Sequence, residues 1–143
     1  MEESRIYDKK TVDSLNKRLG TAPAWKLVDM EITSLAWGRS EMVMEIKEKY
    51  LNISGICHGG ITATFADTVM GTALYSMDVI GPTIEMSINY MAPLRAGQRV
   101  TGRGEVLKRG KTTAVIRADM FVDQTMVATA RGTYSITEDN NRK

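Results

Sequence analysis

Hydrophobic and polar residues alternate with period two over most of the chain, a pattern typical of half-buried β-strands. In the last such run, residues 126–136, small and apolar side chains alternate with polar ones. A turn at Gly38-Arg39 and a tight hairpin at residues 109–111 separate neighbouring runs. The pattern predicts six strands, at residues 24–36, 42–46, 84–93, 98–108, 112–122 and 126–136.

Two segments have helical periodicity instead. Residues 11–19 place three aliphatic side chains on one side, which predicts a short amphipathic N-terminal helix ended by Gly20 and Pro23. Residues 58–77 are apolar on several faces, which is typical of a helix that the rest of the fold surrounds. We therefore expect an α+β fold, in which a curved antiparallel sheet wraps around one long central helix.

Length and composition predict one domain. A chain of 143 residues can bury a core of its own, and 43% hydrophobic with 25% charged residues is the composition of a soluble globular protein. The predicted domain covers residues 1–143, with a helical arm at 1–20 and a polar tail at 138–143. Because the chain has neither a long uncharged apolar run nor an apolar N-terminal segment, we expect a cytoplasmic protein without membrane contact.

The net charge of the chain and its rarest residues argue against several classes of function. One cysteine and one histidine exclude an internal disulfide framework and a zinc site. The net charge of +2 argues against a nucleic-acid partner, and an RNA-binding module would need surface aromatics among its basic residues. Between residues 95 and 117, Glu105 is the one acid beside seven bases, which are Arg95, Arg99, Arg103, Lys108, Arg109, Lys111 and Arg117. This cluster suits phosphate groups, although solvated strand faces would have the same composition.

Asp67 is the one acidic residue of the predicted central helix. Its neighbours one turn away are Ala63, Thr64, Met70 and Gly71, and none of them can neutralise a carboxylate. A buried charge without a partner is costly, so we expect Asp67 to act on a ligand. A hydrogen bond to nearby backbone is the purely structural alternative.

Gly59 and Gly60 begin the same helix, so their backbone N–H groups have no acceptor within it. These groups point out of the positive end of the helix dipole, and the missing side chains let a carbonyl oxygen approach closely. That arrangement predicts an oxyanion hole, with a tight helix start as the alternative.

The spacing along the helix predicts a shared site. Asp67 lies eight residues beyond Gly59, which at roughly 1.5 Å per residue is about 12 Å along one helix. One carbonyl group cannot contact both, so we expect two antiparallel copies of the helix in a symmetric dimer. Small residues at Ala63, Ala66 and Gly71 would let the two copies approach closely.

The motif Asn52-x-x-Gly55-x-x-His58-Gly59-Gly60, with Asp67 nine residues after the histidine, resembles the hotdog-fold acyl-CoA thioesterases. Within them it is most similar to the branch of the phenylacetate-pathway (PaaI-like) and small mammalian acyl-CoA thioesterases. The stretch TIEMSINYMAPL at 83–94 and a Gly-Lys hairpin at 110–111 also match that branch. The resemblance covers residues 25–136 and implies hydrolysis of an acyl-CoA to a free acid and CoA, with no metal or organic cofactor. By analogy it also implies a homotetramer built from two dimers.

The resemblance implies a role for each site residue. Asp67 would be the nucleophile or the base for a water, and the Gly59 N–H would polarise the thioester carbonyl. Asn52 would orient substrate or water, Thr83 would assist the water with its hydroxyl, and His58 would orient the loop. We expect substrate contacts from six further residues, the last three of them to the CoA phosphates: Gly60, Thr68, Tyr90, Lys108, Arg109 and Lys111.

Several alternatives stay open or are disfavoured by the residues. A non-catalytic acyl-CoA sensor on the same fold is the main alternative, although it would tolerate loss of Asp67. A hotdog dehydratase would pair an acid with a histidine in another arrangement, whereas the single His58 precedes Asp67 at the start of the helix. A dyad of Cys57 with His58 is disfavoured because residues adjacent in sequence do not normally face each other. The acyl chain, and the choice between nucleophile and base, are left open.

Overall fold

An antiparallel sheet of six strands forms one layer of the protein in the computed structural model, which describes residues 4–139. The strands of this sheet are β1 (Met30–Ala36), β2 (Arg39–Glu45), β4 (Thr83–Tyr90), β5 (Arg99–Arg109), β6 (Thr113–Val122) and β7 (Thr125–Ser135). Their spatial order is β1-β2-β5-β6-β7-β4. A separate short ladder pairs β3 (Val79–Ile80) with β8 (Glu138–Asp139). The prediction of an α+β fold with an antiparallel sheet is confirmed.

The central helix α3 (Gly59–Tyr75) lies across this sheet. One side of it is completely buried, with Phe65, Val69, Met70 and Ala73 all at 0% exposure. The opposite side is accessible, contrary to the expectation of a helix surrounded by the fold. This accessible stripe of α3 consists of Gly60, Ala63, Thr64, Asp67, Thr68 and Gly71. The helix therefore presents its small residues and its one carboxylate on an uncovered face.

Two glycines of β5 let α3 approach the sheet closely. A Cβ atom on Gly102 would lie 2.7 Å from Val69 Cγ2, and one on Gly104 would lie 2.7 Å from the Val69 carbonyl oxygen. Ser40 Oγ also donates to that carbonyl oxygen, at 2.7 Å. The glycines thus fix where the helix crosses the sheet, which in turn positions both ends of α3.

Two shorter helices precede the sheet: α1 (Lys9–Leu19), close to its predicted position, and α2 (Pro23–Leu27). The prediction of a strand from residue 24 is wrong for residues 24–29, since β1 begins at Met30. Pro23 stands in the first turn of α2, where its ring suits the helical φ and its missing N–H has no role. The indole N–H of Trp25 then donates to the Met30 carbonyl, where β1 begins.

The chain also differs from expectation at its C-terminal end and in strand order. Residues 138 and 139 of the predicted polar tail form β8, whereas residues 140–143 lie outside the described part of the chain. The strand β4 pairs with β7, not with its neighbour in sequence β5. That pairing leaves one edge of β4 free, beside the accessible stripe of α3.

Candidate active site

Asp67 lies half-buried on the accessible stripe of α3, and its carboxylate has two partners. Thr83 Oγ1 donates to Asp67 Oδ1 at 2.5 Å, and the Tyr134 hydroxyl donates to the same oxygen at 2.6 Å. The Tyr134 hydroxyl also lies 3.0 Å from the backbone oxygen of Asp67. The carboxylate thus has hydrogen-bond partners that the helix alone does not contain, although within residues 4–139 it forms no ion pair.

The pairing of β4 with β7 brings these two hydroxyls together. Thr83 and Tyr134 are directly opposite each other in the antiparallel register, so their side chains share one face of the sheet. Thr83 is exposed at the start of β4, whereas Tyr134 is 2% exposed. Burial, and then the neighbouring carboxylate of Asp67, raise the pKa of Tyr134 well above its ordinary value. Its hydroxyl therefore stays protonated and remains a donor.

Tyr134 is absent from the residues that the sequence suggests. It appears there as one more inward-facing residue of an alternating strand, with no motif around it. The packing of α3 against β7 places it at Asp67, and the register between β4 and β7 places it opposite Thr83; neither is visible in a single sequence. Thr83, by contrast, is brought to Asp67 as the resemblance implies.

The beginning of α3 forms a second group of predicted residues. His58 is the N-cap, and its Nδ1 accepts a hydrogen bond from the Gly60 N–H at 2.9 Å. Within residues 4–139 the Gly59 N–H donates to no acceptor. The Gly59 carbonyl accepts from the Tyr90 hydroxyl at 2.7 Å. Of the two glycine amides, Gly59 is therefore the one left for a ligand.

A cavity of about 340 Å³ opens beside Gly59. Its wall includes Asn52 and Tyr90 but is otherwise mostly apolar, with residues such as Met91 and Leu94. Asn52 Oδ1 accepts from the backbone N–H groups of residues 54 and 56, so this side chain also shapes its own loop. The cavity combines a free backbone donor with apolar walls, which suits a carbonyl group carrying a hydrocarbon substituent.

Cys57 lines the same cavity and is 7% exposed. Burial raises the pKa of its thiol, and the sulfur lies 3.7 Å from Thr62 Oγ1 and 3.6 Å from the His58 carbonyl oxygen. The His58 ring nitrogen Nδ1 is committed to Gly60 instead. The geometry accordingly contains no thiolate–imidazole pair between these neighbours.

The predicted residues thus form two groups on one chain. The cavity at the beginning of α3 is lined by Gly59, Asn52 and Tyr90, and not by Asp67 or Thr83. Along the helix the two groups are about 12 Å apart. Thr68 belongs to neither group, since its hydroxyl donates to the Thr64 carbonyl within the helix.

The basic residues are less concentrated in space than in sequence. Arg103, Arg109 and Arg117 each form an ion pair, with Glu41, Asp139 and Glu105 respectively. The Arg109 pair is 2.5 Å long and joins β5 to β8. Lys108 and Lys111 are exposed, and within residues 4–139 neither forms an ion pair. They are therefore the accessible cations of the hairpin, and Arg95 and Arg99 of the same cluster are exposed as well.

The hairpin of Lys108 and Lys111 lies at the same end of the sheet as Asp67. Arg109 is opposite Ala114, Ala114 is opposite Tyr134, and Tyr134 is opposite Thr83. Strands are spaced by roughly 4.8 Å, so this row spans about 14 Å across the sheet. The hairpin and Thr83, which donates to the carboxylate, therefore lie at the two ends of one row across the sheet.

Residues 4–139 contain no group of three or more histidine, cysteine, aspartate or glutamate side chains able to hold a metal ion. No helix in the same range is both long and apolar enough to cross a bilayer.

Comparison with known proteins finds thioesterases among the relatives of this chain. The sequence model of the thioesterase superfamily matches residues 54–129. Human acyl-coenzyme A thioesterase 13 is 32% identical over 106 residues, which cover 73% of this chain and 76% of that protein. The acyl-coenzyme A thioesterase PaaI of Escherichia coli is 29% identical over 108 residues, covering 75% and 77% of the two chains.

Solved structures agree in fold. The E. coli PaaI structure matches with a TM-score of 0.82 at 24% identity, covering 89% of this chain and 93% of that one. A thioesterase from Streptococcus pneumoniae, solved with coenzyme A, matches with a TM-score of 0.75 at 28% identity, covering 78% and 90%. Two variants of it have an aspartate or a threonine changed to alanine, at positions 16 residues apart. Asp67 and Thr83 have the same separation, 16 residues.

Three observations agree on one family. The sheet has this strand order and wraps around one helix, the superfamily model matches more than half of the chain, and the relatives above are thioesterases. The chain belongs to the thioesterase superfamily, as a PaaI-like thioesterase with the hotdog fold.

Proposed function

We propose that this protein hydrolyses the thioester of an acyl-CoA to a free carboxylic acid and CoA. The observation that carries the proposal is the accessible stripe of α3, which bears a hydrogen-bonded carboxylate, Asp67, on a helix whose first residue, Gly59, has an uncommitted N–H group. The relatives named as acyl-CoA thioesterases support the same substrate class.

In the proposed reaction the Gly59 N–H donates to the thioester oxygen as negative charge develops there. Its place at the positive end of α3 adds the helix dipole to the hydrogen bond. Loss of one such donor costs about 10²–10³-fold in kcat in other acyl-transfer enzymes. His58 contributes indirectly, because by accepting from Gly60 it fixes the first turn of the helix.

Asp67 acts on the carbonyl carbon, either as a nucleophile or as the base for a water molecule. In both routes the acyl–sulfur bond breaks and the CoA sulfur leaves as a thiolate that takes up a proton. As a base, Asp67 takes a proton from a water molecule whose oxygen bonds to the acyl carbon. As a nucleophile, Asp67 bonds to the acyl carbon itself, and water then hydrolyses the mixed anhydride at the Asp67 carboxyl carbon and restores the carboxylate. In a single turnover in H₂¹⁸O, base catalysis labels the product, whereas this nucleophilic route labels Asp67 and leaves the first product unlabelled.

The two groups act together in a symmetric dimer, so that Asp67 of one protomer faces Gly59 of its partner. Two features of the described chain support this assembly. The stripe of α3 around Asp67 has small residues at Ala63 and Gly71, which would allow a second helix to pack closely. The neighbouring edge of β4 is unpaired and carries Ile84 at 58% exposure. Ala66 cannot contribute to this packing, since it is completely buried against its own sheet.

The CoA moiety binds along the sheet, with its phosphates at Lys108 and Lys111. These lysines are exposed and form no ion pair within residues 4–139, and their hairpin lies about 14 Å across the sheet from Thr83. Arg109 contributes less, because Asp139 already pairs with it. The acyl group occupies the apolar cavity beside Gly59, where Asn52 and Tyr90 contact it.

The test is thiol release from a panel of acyl-CoAs that vary in length and in aryl or aliphatic character. We expect turnover by the wild type and a fall in kcat of about 10²–10⁴-fold in Asp67→Asn. Asp119→Asn is the matched control, because Asp119 also accepts a threonine hydroxyl, from Thr129 at 2.7 Å, yet lies outside the proposed site. A fully active Asp67→Asn contradicts the mechanism, and tight acyl-CoA binding without turnover by the wild type indicates a sensor instead.

A further inference from the structure

We propose that Tyr134 is a positioning residue for Asp67: together with Thr83 it holds Oδ1, so that Oδ2 is the oxygen that reacts. The inference rests on the proposed function and extends it, since it assigns different tasks to the two oxygens of one carboxylate. It also assigns a role to a residue that no motif of the chain contains.

Both hydroxyls converge on one atom. Thr83 Oγ1 and the Tyr134 hydroxyl lie 2.5 and 2.6 Å from Asp67 Oδ1, the range of charge-assisted O–H···O bonds. A carboxylate oxygen has about two acceptor sites, so two donors occupy Oδ1 fully. Within residues 4–139 no donor lies within hydrogen-bonding distance of Oδ2. The environment therefore divides the carboxylate into an anchored oxygen and a free one.

The fold holds the tyrosine ring in place for this task. A Cβ atom on Gly132 would lie 2.9 Å from Tyr134 Cε2, so the ring occupies space that only a glycine leaves open. On its other edge, Cε1 lies 4.0 Å from where a Cβ atom on Gly71 would be. The ring thus fills a slot between β7 and α3 and has little freedom to turn its hydroxyl away from Asp67.

The two donors constrain the carboxylate differently. Thr83 is exposed at the edge of the sheet, where a ligand or a partner protomer can also reach its hydroxyl. Tyr134 is 2% exposed and bonds both Oδ1 and the backbone oxygen of the same residue. Tyr134 therefore links the orientation of the side chain to the position of the helix itself. When substrate occupies the site, this link keeps Oδ2 pointing outward.

The decisive variant is Tyr134→Phe, which removes the hydroxyl and keeps the ring. In thiol-release assays we expect kcat to fall about tenfold or more with KM nearly unchanged, because the lost bond orients the reacting group and does not bind substrate. Independently of activity, the ¹³C resonance of the Asp67 carboxyl should shift in this variant at one constant neutral pH, because one of the two hydroxyls that donate to Oδ1 is lost.

Tyr7→Phe is the matched control. Its hydroxyl also donates to a backbone oxygen of the α3 region, that of Ser76 at 2.7 Å, but at the far end of the helix. We expect it to change the melting temperature without changing kcat or the Asp67 carboxyl resonance. Thr83→Val applies the same two measurements to the second donor at an exposed position, which keeps the inference testable if Tyr134→Phe does not fold.

The outcomes separate the inference from the proposed function. A wild type that hydrolyses acyl-CoA, with Tyr134→Phe matching it in kcat and in the Asp67 carboxyl resonance, overturns the role of Tyr134 and leaves the function intact. A wild type without hydrolysis overturns the proposed function, and the carboxyl resonance still shows whether Tyr134 holds Asp67. A lower kcat with an unchanged carboxyl resonance also overturns the inference, since general loss of structure would produce it.

Discussion

At the scale of single residues, the first turn of α3 separates two neighbouring glycines that look equivalent in the sequence. The Gly60 N–H is bound by His58 Nδ1 at 2.9 Å, whereas the Gly59 N–H has no acceptor within residues 4–139. An N-cap that accepts from the second helical residue therefore selects the first residue as the donor for a ligand. His58 has a structural task in this arrangement, and it sets which amide can bind an oxyanion.

Gly59→Pro removes that one donor and little else. Proline is favoured in the first helical position, and His58, with φ −58° and ψ 130°, already has the conformation that a following proline requires. A Cβ atom at position 59 would lie 3.2 Å from the tip of Tyr90, which is 52% exposed and can move aside. We expect thermal unfolding close to wild type and a fall in kcat of about 10²–10³-fold.

Gly59→Ala is the control for that experiment, since it introduces the same Cβ atom and keeps the N–H. If the alanine variant loses as much activity as the proline variant, the contact with Tyr90 is responsible and Gly59 is not the oxyanion donor. Steady-state kinetics on one acyl-CoA, with circular dichroism to check folding, separates the two results.

The site residues that can be predicted from the sequence are those that stand out among their own neighbours in sequence. Asp67 is conspicuous because it is the one charge in an apolar helix, and Gly59 because it begins that helix. Tyr134 is not predictable, because its role depends on which strand pairs with β4 and in which register. The sequence also does not show that Arg109 is in an ion pair whereas Lys108 and Lys111 are not, because the partner of Arg109, Asp139, lies far along the chain.

At the scale of elements, the crossing of α3 over β5 depends on the absence of side chains at Gly102 and Gly104. From the sequence these glycines suggest a loose strand, because glycine weakens strand interiors. In the fold they are contact points, and the helix could not lie as close to the sheet with any other residue there. The pattern could predict the helix and the strands, but not this contact or the order of the strands.

Gly102→Ala tests that contact. Its Cβ atom would meet Val69 Cγ2 at 2.7 Å and Phe65 Cε1 at 2.9 Å, in a completely buried layer. We expect the free energy of unfolding to fall by about 1–3 kcal/mol, as in other overpacked cores. Thr101→Ala, one residue earlier on the same strand and on its other face, should change it by less than about 1 kcal/mol. Urea unfolding of both variants measures the difference, and equal midpoints would contradict the role assigned to the glycine.

At the scale of the whole molecule, the proposed oxyanion donor Gly59 and the proposed catalytic carboxylate Asp67 of one chain cannot reach the same carbonyl group. The distance of about 12 Å between them follows from the rise of a single helix, so movements of loops do not remove it. Two copies related by a two-fold axis would contain two complete sites, and one copy none. If two copies are required, mixtures of two variants should behave differently from mixtures of variants of a protein whose site lies within one chain.

We expect Asp67→Asn and Gly59→Pro chains, each inactive alone, to form active heterodimers. When the two are co-expressed with different tags and purified through both, one of the two sites combines an intact Asp67 with an intact Gly59, so kcat per dimer should be about half that of the wild type. The reciprocal control joins a wild-type chain to a chain with both substitutions. There each shared site lacks one group, and activity should be lost. If both groups act within one chain, the results reverse: the first heterodimer stays inactive, and the control keeps about half the activity.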